Sequence, residues 1–306
     1  MIPTSSRLKT STTFNPNLVL KQKDFYFAIV GATFCMGTSF VASKILLRTV
    51  PPFTLVGWRF VCAAIATLPI VFLLKQRFSS VSTSDWQKIA LIGLLQTAGT
   101  MGLLFLSMLY ISASTAAVLL FTNPLWVAAL SPLVLKEKIR PPQYIGLFLG
   151  FLGVVMLIGI TATTLEMRGN LLGIASALCW ASATLVAKRS ALKVPPFILS
   201  FGQMLTGGVV LVGLSLLSHE SYDVATATRE DWFWFAWLFL PSSVGSFGLW
   251  YVALSRGGAL KSSSFLFLTP LFTVITSVLV LKTAVSGQQL IGAVLVGMAL
   301  YIVNRD

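Results

Sequence analysis

Long apolar runs separated by short polar stretches fill most of the 306-residue chain. A helix needs about 20 residues to cross a hydrocarbon core of ~30 Å, and the chain has ten such runs. They are predicted at residues 25–46, 53–75, 87–109, 114–135, 142–161, 169–188, 196–218, 232–254, 262–282 and 286–303. The runs are continuously apolar, whereas the strands of a membrane barrel alternate. The pattern predicts an all-α integral membrane protein with ten transmembrane helices.

Composition narrows the class of protein. Hydrophobic residues make up 56% of the chain and charged residues only 10%, whereas soluble domains carry roughly 25% charged residues. A soluble enzyme and a disordered chain are therefore excluded. The chain has 22 Lys and Arg against 9 Asp and Glu, but this basic excess is divided among small clusters between the runs. Because a nucleic-acid-binding protein gathers its basic residues on one face, no nucleic-acid partner is expected.

The positions of the basic residues predict the orientation in the membrane. If the amino end is cytoplasmic, sixteen Lys and Arg residues fall in cytoplasmic segments and five in external ones, while Arg59 lies within a span. Because cytoplasmic loops carry the excess of Lys and Arg, we predict a multi-pass plasma (inner) membrane protein with both termini cytoplasmic. Residues 1–24 are polar and lack the apolar core of a signal peptide. They are expected to form a disordered cytoplasmic tail.

An internal repeat relates the two halves of the chain. A shift of 144 residues places Val50-Pro51-Pro52-Phe53 on Val194-Pro195-Pro196-Phe197, and a shift of 146 places Leu133-Val134-Leu135-Lys136 on Leu279-Val280-Leu281-Lys282. Each half, 25–161 and 169–303, holds five predicted spans. Because five is odd, the second copy must enter the membrane from the opposite face. Such inverted repeats are common in secondary transporters, which bind their substrates near the midplane between the halves.

Local motifs resemble those of the EamA family within the drug/metabolite transporter superfamily. They are Gly37-Thr38-Ser39-Phe40, Pro51-Pro52 followed by Arg59, Asn123-Pro124-Leu125, and Lys136-Glu137. The resemblance covers about residues 25–303. It implies a transporter of amino acids or other small metabolites, and not an enzyme, with a cavity ringed by spans 1–4 and 6–9. The acidic residue often found after span 9 in this family is Thr283 here, so Glu137 has no acidic counterpart.

Polar and aromatic residues inside the spans are candidates for the lining of that cavity. Spacings of four residues place Gln96 with Thr100, and Ser242 with Ser246 and Trp250, on single helical faces. The substrate-cavity candidates are Thr38, Gln96, Thr100, Asn123, Trp180, Thr184, Ser242, Ser246, Trp250 and Thr269. An aromatic and hydroxyl-rich lining suits an amphipathic organic solute better than a bare ion. For any one of these residues, ordinary helix packing is the stronger interpretation. Taken together, however, the residues favour a cavity.

Prolines and basic residues within the spans are further candidates. Pro124 and Pro270 remove backbone hydrogen bonds near the middle of spans 4 and 9, and the resulting kinks either flex during transport or only shape the packing. Arg59 either reaches back to the membrane surface or faces the substrate path as a gating or carboxylate-attracting group. Lys44 and Lys188 are repeat mates, and snorkelling to the interface is the stronger interpretation for both.

Missing residue types indicate how transport is driven. No Asp or Glu lies well inside a predicted span, and the one histidine, His219, lies in a loop. Because proton-driven carriers commonly hold such a group in the membrane, the solute is expected to move down its own gradient or by exchange. No phosphate loop, HExxH motif or CxxC pair occurs, so no cofactor or metal is expected.

The predicted function is a secondary transporter of a small organic metabolite such as an amino acid, working by alternating access. Export is the predicted direction, and it rests on the resemblance alone. Two alternatives stay open, a multidrug or lipophilic-cation efflux carrier and a non-transporting membrane scaffold. The expected partners are the small-molecule substrate and membrane lipid, and the oligomeric state is left open.

Overall fold

The computed structural model describes residues 16–136, 141–158, 163–190, 192, 194–250, 252–253 and 265–304. Within these residues every regular element is helical, and a helix overlaps each predicted span. Segment 1–15 and Glu137, for which the sequence made predictions, lie outside the described residues. The side chains of Pro124 and Lys188 lie outside them as well.

We label the helices α1 to α10 in chain order. Their bounds are α1 Pro16–Leu46, α2 Pro52–Leu73, α3 Thr83–Ser107, α4 Ala113–Leu120 continuing as Asn123–Leu135, α5 Pro141–Ile158, α6 Thr164–Ser190, α7 Pro196–Leu217, α8 Arg229–Phe239 continuing through a π-helical turn at Leu240–Gly245 to residue 250, α9 Leu268–Leu281 and α10 Gly287–Asn304. α1 begins at Pro16 and not at residue 25, so it includes part of the segment predicted to be a disordered tail.

Several of these helices suit a membrane by length and composition. In the described part of the chain, α1, α2, α3, α6 and α7 each contain a segment long and apolar enough to cross a bilayer. The two parts of α4 form a sixth if they count as one bent span, and α5, α9 and α10 contain shorter apolar stretches. The structure thus confirms an all-helical protein with multiple apolar spans, and the number ten stays a prediction.

Local sequence signals explain where the helices start. α2 and α7 follow Pro51 and Pro195, and each has a second proline at its first position, where no helical hydrogen bond is lost. The side chain of Ser82 caps α3. Thr228 and Asp231 form a reciprocal capping box at the start of α8, which satisfies two backbone donors at the helix end.

Backbone features recur at the two repeat shifts. Left-handed residues occur at Lys75 and His219, 144 apart, and at Lys136 and Lys282, 146 apart. α3 contains a π-helical turn at Gly93–Gly99 that ends 146 residues before the turn in α8. Short 3-10 turns at Phe78–Ser80 and Val224–Thr226 correspond in the same way. The halves therefore share a backbone pattern as well as sequence matches.

Repeat-related helices pack against each other in antiparallel pairs. In the α2–α7 pair, a Cβ at Gly57 would lie 2.8 Å from the Val212 nitrogen, and a Cβ at Gly208 would lie 2.9 Å from the Val61 nitrogen. Only glycine permits backbones to approach so closely. Because residues later in α2 meet residues earlier in α7, the two helices run in opposite directions. α5 and α10 also pair. An inverted second copy produces this kind of packing.

Candidate functional site

A cavity of about 720 Å³ lies among helices of both halves. Its lining residues come from α1, α2, α3 and α4 in the first half and from α6, α7 and α8 in the second, with Leu266 from the 3-10 turn before α9. In the described residues, α5 and α10 contribute none. The walls are largely apolar with a few polar side chains, the composition of a site for a small organic ligand.

Eight residues singled out in the sequence line this cavity. They are Arg59, Gln96, Asn123, Trp180, Thr184, Ser242, Ser246 and Trp250. They come from five helices, so the tertiary packing gathers residues that are far apart in the chain. Trp180 packs edge-on against Phe121, with ring centroids 5.7 Å apart, and both rings line the cavity. The contact of these residues with a substrate stays a prediction.

Thr38 and Thr269 lie away from the cavity lining. The Thr38 hydroxyl oxygen accepts a hydrogen bond from Trp237 Nε1 at 3.1 Å, which joins α1 to α8. Thr269 is fully buried. It lies where α9 meets α1, as shown by Gly37 of α1, at which a Cβ would lie 2.8 Å from the Thr269 carbonyl oxygen. Both threonines therefore belong to helix packing, the alternative that the sequence left open.

Thr100 also lies away from the cavity lining. Its hydroxyl donates to the Leu95 carbonyl, five residues back, at 2.9 Å. Gln96 lines the cavity while Thr100 is fully buried. The prediction that Thr100 lines the cavity together with Gln96 is wrong.

Some lining residues were not among the sequence candidates. Gln203 is buried at 6% exposure and lines the cavity, and it stands 144 residues after Arg59. The internal repeat could therefore have indicated Gln203 as a candidate, although the neighbouring residues of α7 form no polar helical face. Ser243 also lines the cavity, next to the candidate Ser242. The aromatic residues Phe60 and Phe105 carry no signal that separates them from ordinary core residues.

Arg59 is held in the cavity wall. It is 5% exposed, and its Nε donates to Ser243 Oγ of α8 at 3.1 Å. The Ser243 hydroxyl donates in turn to the Leu238 carbonyl at 2.8 Å. The guanidinium lies 5.0 Å from the ring centroid of Phe60 and 6.0 Å from that of Phe105. Arg59 therefore does not reach back to the membrane surface, because a neighbouring helix fixes it inside the protein.

Lys44 contacts the backbone of a neighbouring helix end. Its Nζ donates to the carbonyl oxygens of Met108 and Ile111, the latter at 2.8 Å. These residues follow the end of α3, where backbone carbonyls lack helical partners and favour a cation. Lys44 therefore ties α1 to the end of α3, and its reach to the membrane interface stays a prediction.

The proline of the first half lies at an interruption of α4. The helix stops at Leu120 and resumes at Asn123, with Pro124 in the first turn of the second part. The axis bends by 44° around Ala128. Ala128 is four residues before Pro132. The proline ring clashes with the Ala128 carbonyl, and proline has no N–H that could donate a hydrogen bond to it. The bend therefore belongs to Pro132, a residue that the sequence reasoning did not use.

The proline of the second half lies at a helix start. Pro270 is in the first turn of α9, directly after the 3-10 turn Phe265–Phe267. A proline in a first turn costs no helical hydrogen bond. In the described residues, Pro270 therefore does not kink a continuous α-helix, in contrast to the prediction.

The cavity is closed at one end and partly exposed at the other. Toward the end where α1 and α3 finish, Ser43 and Met108 are each only 1% exposed. Toward the opposite end, Thr184 and Trp250 are partly exposed. The two ends of the cavity therefore differ in how deeply their lining residues are buried.

A carboxylate ties the helices together at the closed end. Glu220, just after α7, accepts hydrogen bonds from the amides of Phe53 at 3.2 Å and Thr54 at 2.7 Å in the first turn of α2. A negative charge is favourable at a helix start. The repeat mate of Glu220 is Gln76, and its buried Oε1 has no hydrogen-bond partner in the described part of the chain. The tie is thus formed at one end only.

Comparison with known proteins identifies the family and agrees with the fold. The model of the EamA-like transporter family matches residues 25–159 and 167–305. The chain is 27% identical over 282 residues to the uncharacterized transporter YyaM of Bacillus subtilis, covering 90% of this chain and 92% of YyaM. It is 26% identical over 293 residues to the protein PecM of Dickeya dadantii, covering 93% of each.

A solved structure has a similar fold. A protein of known crystal structure superposes with a TM-score of 0.65 at 18% identity, covering 93% of this chain and 97% of the other. The family model matches twice and covers most of the chain, and the apolar helices fit a multi-pass membrane protein. The family comprises transporters and not enzymes. The chain belongs to the EamA-like transporter family.

Proposed function

We propose that the protein is a secondary transporter that carries a small organic metabolite, such as an amino acid, by alternating access. The observation that carries the proposal is the cavity of about 720 Å³ between helices of both halves, a volume typical of small-molecule sites. Two inverted five-helix repeats, 25–161 and 169–303, would enclose it. In transporters with such repeats, the two halves can exchange conformations, so that the site opens to one side of the membrane and then to the other in two states of similar energy.

The proposal includes an orientation. Both termini face the cytoplasm of the plasma (inner) membrane, as the distribution of Lys and Arg favours. The end closed by Glu220 and Lys44 is then external, and the partly exposed end near Thr184 and Trp250 is cytoplasmic. The structure would correspond to an inward-facing state, which is ready to load a cytoplasmic solute for export.

The energy source in this proposal is the gradient of the solute or an exchange of solutes. In the described residues, no carboxylate or histidine lines the cavity. A carrier without such a group has no evident site for taking up and releasing a proton within the membrane. Proteoliposome uptake that requires a pH gradient would contradict this part of the proposal.

Metabolite analysis tests the transport function. Cells that lack the protein and cells that overproduce it are compared for solutes inside and outside, and the solutes that differ are offered to the purified protein in liposomes. We expect one class of solute to appear outside the overproducing cells and to exchange across the liposome membrane. A cellular difference that the reconstituted protein does not reproduce would contradict direct transport.

Thiol labelling distinguishes a transporter from a solid membrane scaffold. In a chain whose three native cysteines are replaced by alanine, Thr184→Cys lies on the cavity wall and Thr269→Cys is fully buried in a helix contact. We expect a water-soluble maleimide to label Thr184→Cys and to leave Thr269→Cys unlabelled. Protection of both thiols in the native protein would favour the scaffold.

A further inference from the structure

We propose that Arg59 binds the anionic group of the solute and that this solute is an organic monoanion, a carboxylate on an apolar or aromatic body. The inference rests on the proposed transport function and specifies its substrate class. It starts from a charge: Arg59 is the single charged side chain in the described lining of the cavity.

The positive charge of Arg59 has no counter-ion in the described part of the chain. The one salt bridge there joins Lys88 to Asp85. Ser243 takes the Nε hydrogen, which leaves four of the five guanidinium N–H donors for another partner. An unpaired buried charge is costly, and a bound anion removes this cost. A carboxylate matches the fork of guanidinium donors in geometry and in charge.

The repeat contains an internal control for the role of this charge. Gln203 occupies the position of Arg59 in the second half, and it also lines the cavity. It lies where α7 meets α3, since a Cβ at Gly93 would be 2.7 Å from the Gln203 carbonyl oxygen. The two halves therefore place different side chains at matched positions of the cavity wall, a charged one at Arg59 and an uncharged one at Gln203.

Other donors line the same cavity. The Ser242 hydroxyl lies beside Ser243 in the π-helical turn of α8, and it has no hydrogen-bond partner among the described residues. The side-chain amide of Gln203 adds two N–H donors. With one cation and no carboxylate in the described lining, the cavity repels cations. A lipophilic-cation carrier is therefore disfavoured.

The apolar part of the wall indicates the body of the solute. Phe105, Phe121, Trp180 and Trp250 line the cavity together with several methionines. Aromatic rings bury large apolar area and favour ring–ring contacts. A solute with a carboxylate at one end and a ring at the other would satisfy both regions of the wall.

Three matched probes test this assignment on the parent protein. They are 3-phenylpropionate, its neutral amide 3-phenylpropanamide, and the cation 3-phenylpropylamine, which share the ring and chain. Binding is measured by calorimetry on purified protein in nanodiscs. We expect the carboxylate to bind at least about tenfold more tightly than the amide, which corresponds to about 1.4 kcal/mol, and the amine to bind least. Equal affinity for the three probes, or preference for the amine, would overturn the proposal.

Charge-moving variants locate the binding group. Arg59→Gln, which copies the residue at the repeat mate, should lose the preference for the carboxylate over the amide, and Arg59→Lys should keep part of it. The double variant Arg59→Gln with Gln203→Arg returns the charge to the opposite wall and should restore part of the preference. Lys88→Gln removes a cation outside the cavity and should change nothing. An unchanged preference in Arg59→Gln would refute the role of Arg59.

Failure of this inference and failure of the transport function are separable. If the parent binds the carboxylate preferentially but moves no solute across liposomes, the anion site stands and the transport proposal fails. If the protein transports neutral or cationic solutes, and Arg59→Gln transports them at the parent rate, transport stands and the anion site is refuted. Size-exclusion profiles show whether each variant is folded, and the probe series on the parent decides the case without any variant.

Discussion

At the scale of single residues, a few hydrogen bonds between distant parts of the chain define the site. Arg59 and Ser243 are separated by 184 positions and join α2 to α8. Glu220 joins the end of α7 to the start of α2 across 166 positions to Thr54. Each bond ties one half of the chain to the other. The closed end of the cavity therefore depends on few side chains, and single substitutions should act on it.

We expect Glu220→Gln to weaken the closed end. The substitution removes the negative charge of the carboxylate, which accepts hydrogen bonds from the first amides of α2, at a cost of about 1 kcal/mol. It should lower the midpoint of thermal unfolding in detergent and speed the labelling of a thiol placed at Ser43 at the closed end. Glu230→Gln is the control, because Glu230 is exposed and bonds only to Trp234 of its own helix. Equal effects of Glu220→Gln and Glu230→Gln would contradict the role of Glu220 in joining the end of α7 to the start of α2.

At the scale of helices, glycine decides how closely the two halves meet. α2 and α7 share the most extensive contact between repeat mates after α5 and α10. Their close approach requires Gly57 and Gly208, whose hydrogens face backbone atoms of the partner helix. This contact joins the two halves of the chain.

We expect Gly57→Ala to destabilise the protein by about 1–3 kcal/mol, because its methyl group would lie 2.8 Å from the Val212 nitrogen and overpacking costs that much. Gly213→Ala in α7 is the matched control. No atom lies within 4 Å of a Cβ at that position, so alanine should be neutral or slightly stabilising there. Thermal unfolding of both variants in the same detergent measures the difference, and a neutral Gly57→Ala would show that the helices do not pack this closely.

We expect the bend of α4 to matter for transport. Pro132→Ala restores an N–H for the Ala128 carbonyl and should straighten the 44° bend, which would slow transport several-fold while expression stays at the parent level. Pro270→Ala should have a smaller effect, because Pro270 is in the first turn of α9. The rates of solute exchange in proteoliposomes compare the two variants. A larger effect of Pro270→Ala than of Pro132→Ala would contradict the expectation and indicate that α9, not α4, bends during transport.

At the scale of the whole molecule, the antiparallel pairing of α2 with α7 fits the proposal that the halves are inverted relative to each other. Five helices in each half would then place the two chain ends on the same side of the membrane. The tie made by Glu220 at one end, without its counterpart at Gln76, gives the two ends of the cavity different contacts. A change of state would exchange which end is closed.

We expect reporters fused to the two chain ends to appear on the same, cytoplasmic face. A reporter inserted after Arg48, in the short connection between α1 and α2, should appear on the external face and serves as the control. Enzyme fusions that are active on only one side of the membrane make the measurement. Chain ends on opposite faces would contradict the proposed arrangement of five helices in each half.

The sequence alone determined the helical class, the positions of the apolar helices, the internal repeat and the family. These properties depend on local patterns, since span length, proline and cap positions, and ungapped repeat matches are all written along the chain. The polar and aromatic lining was partly predictable, because residues such as Asn123 and Trp180 are unusual inside apolar runs. Gln203 was also within reach, as the repeat mate of Arg59.

Only the tertiary structure decided which of these residues meet. Thr100 donates to the Leu95 carbonyl and lies away from the cavity that Gln96 lines, and Lys44 donates to a carbonyl at the end of a neighbouring helix. The bonding of Arg59 to Ser243 likewise depends on how two helices are rotated and spaced. Helix rotation and spacing arise from packing among all the helices, and no local pattern in the chain encodes them.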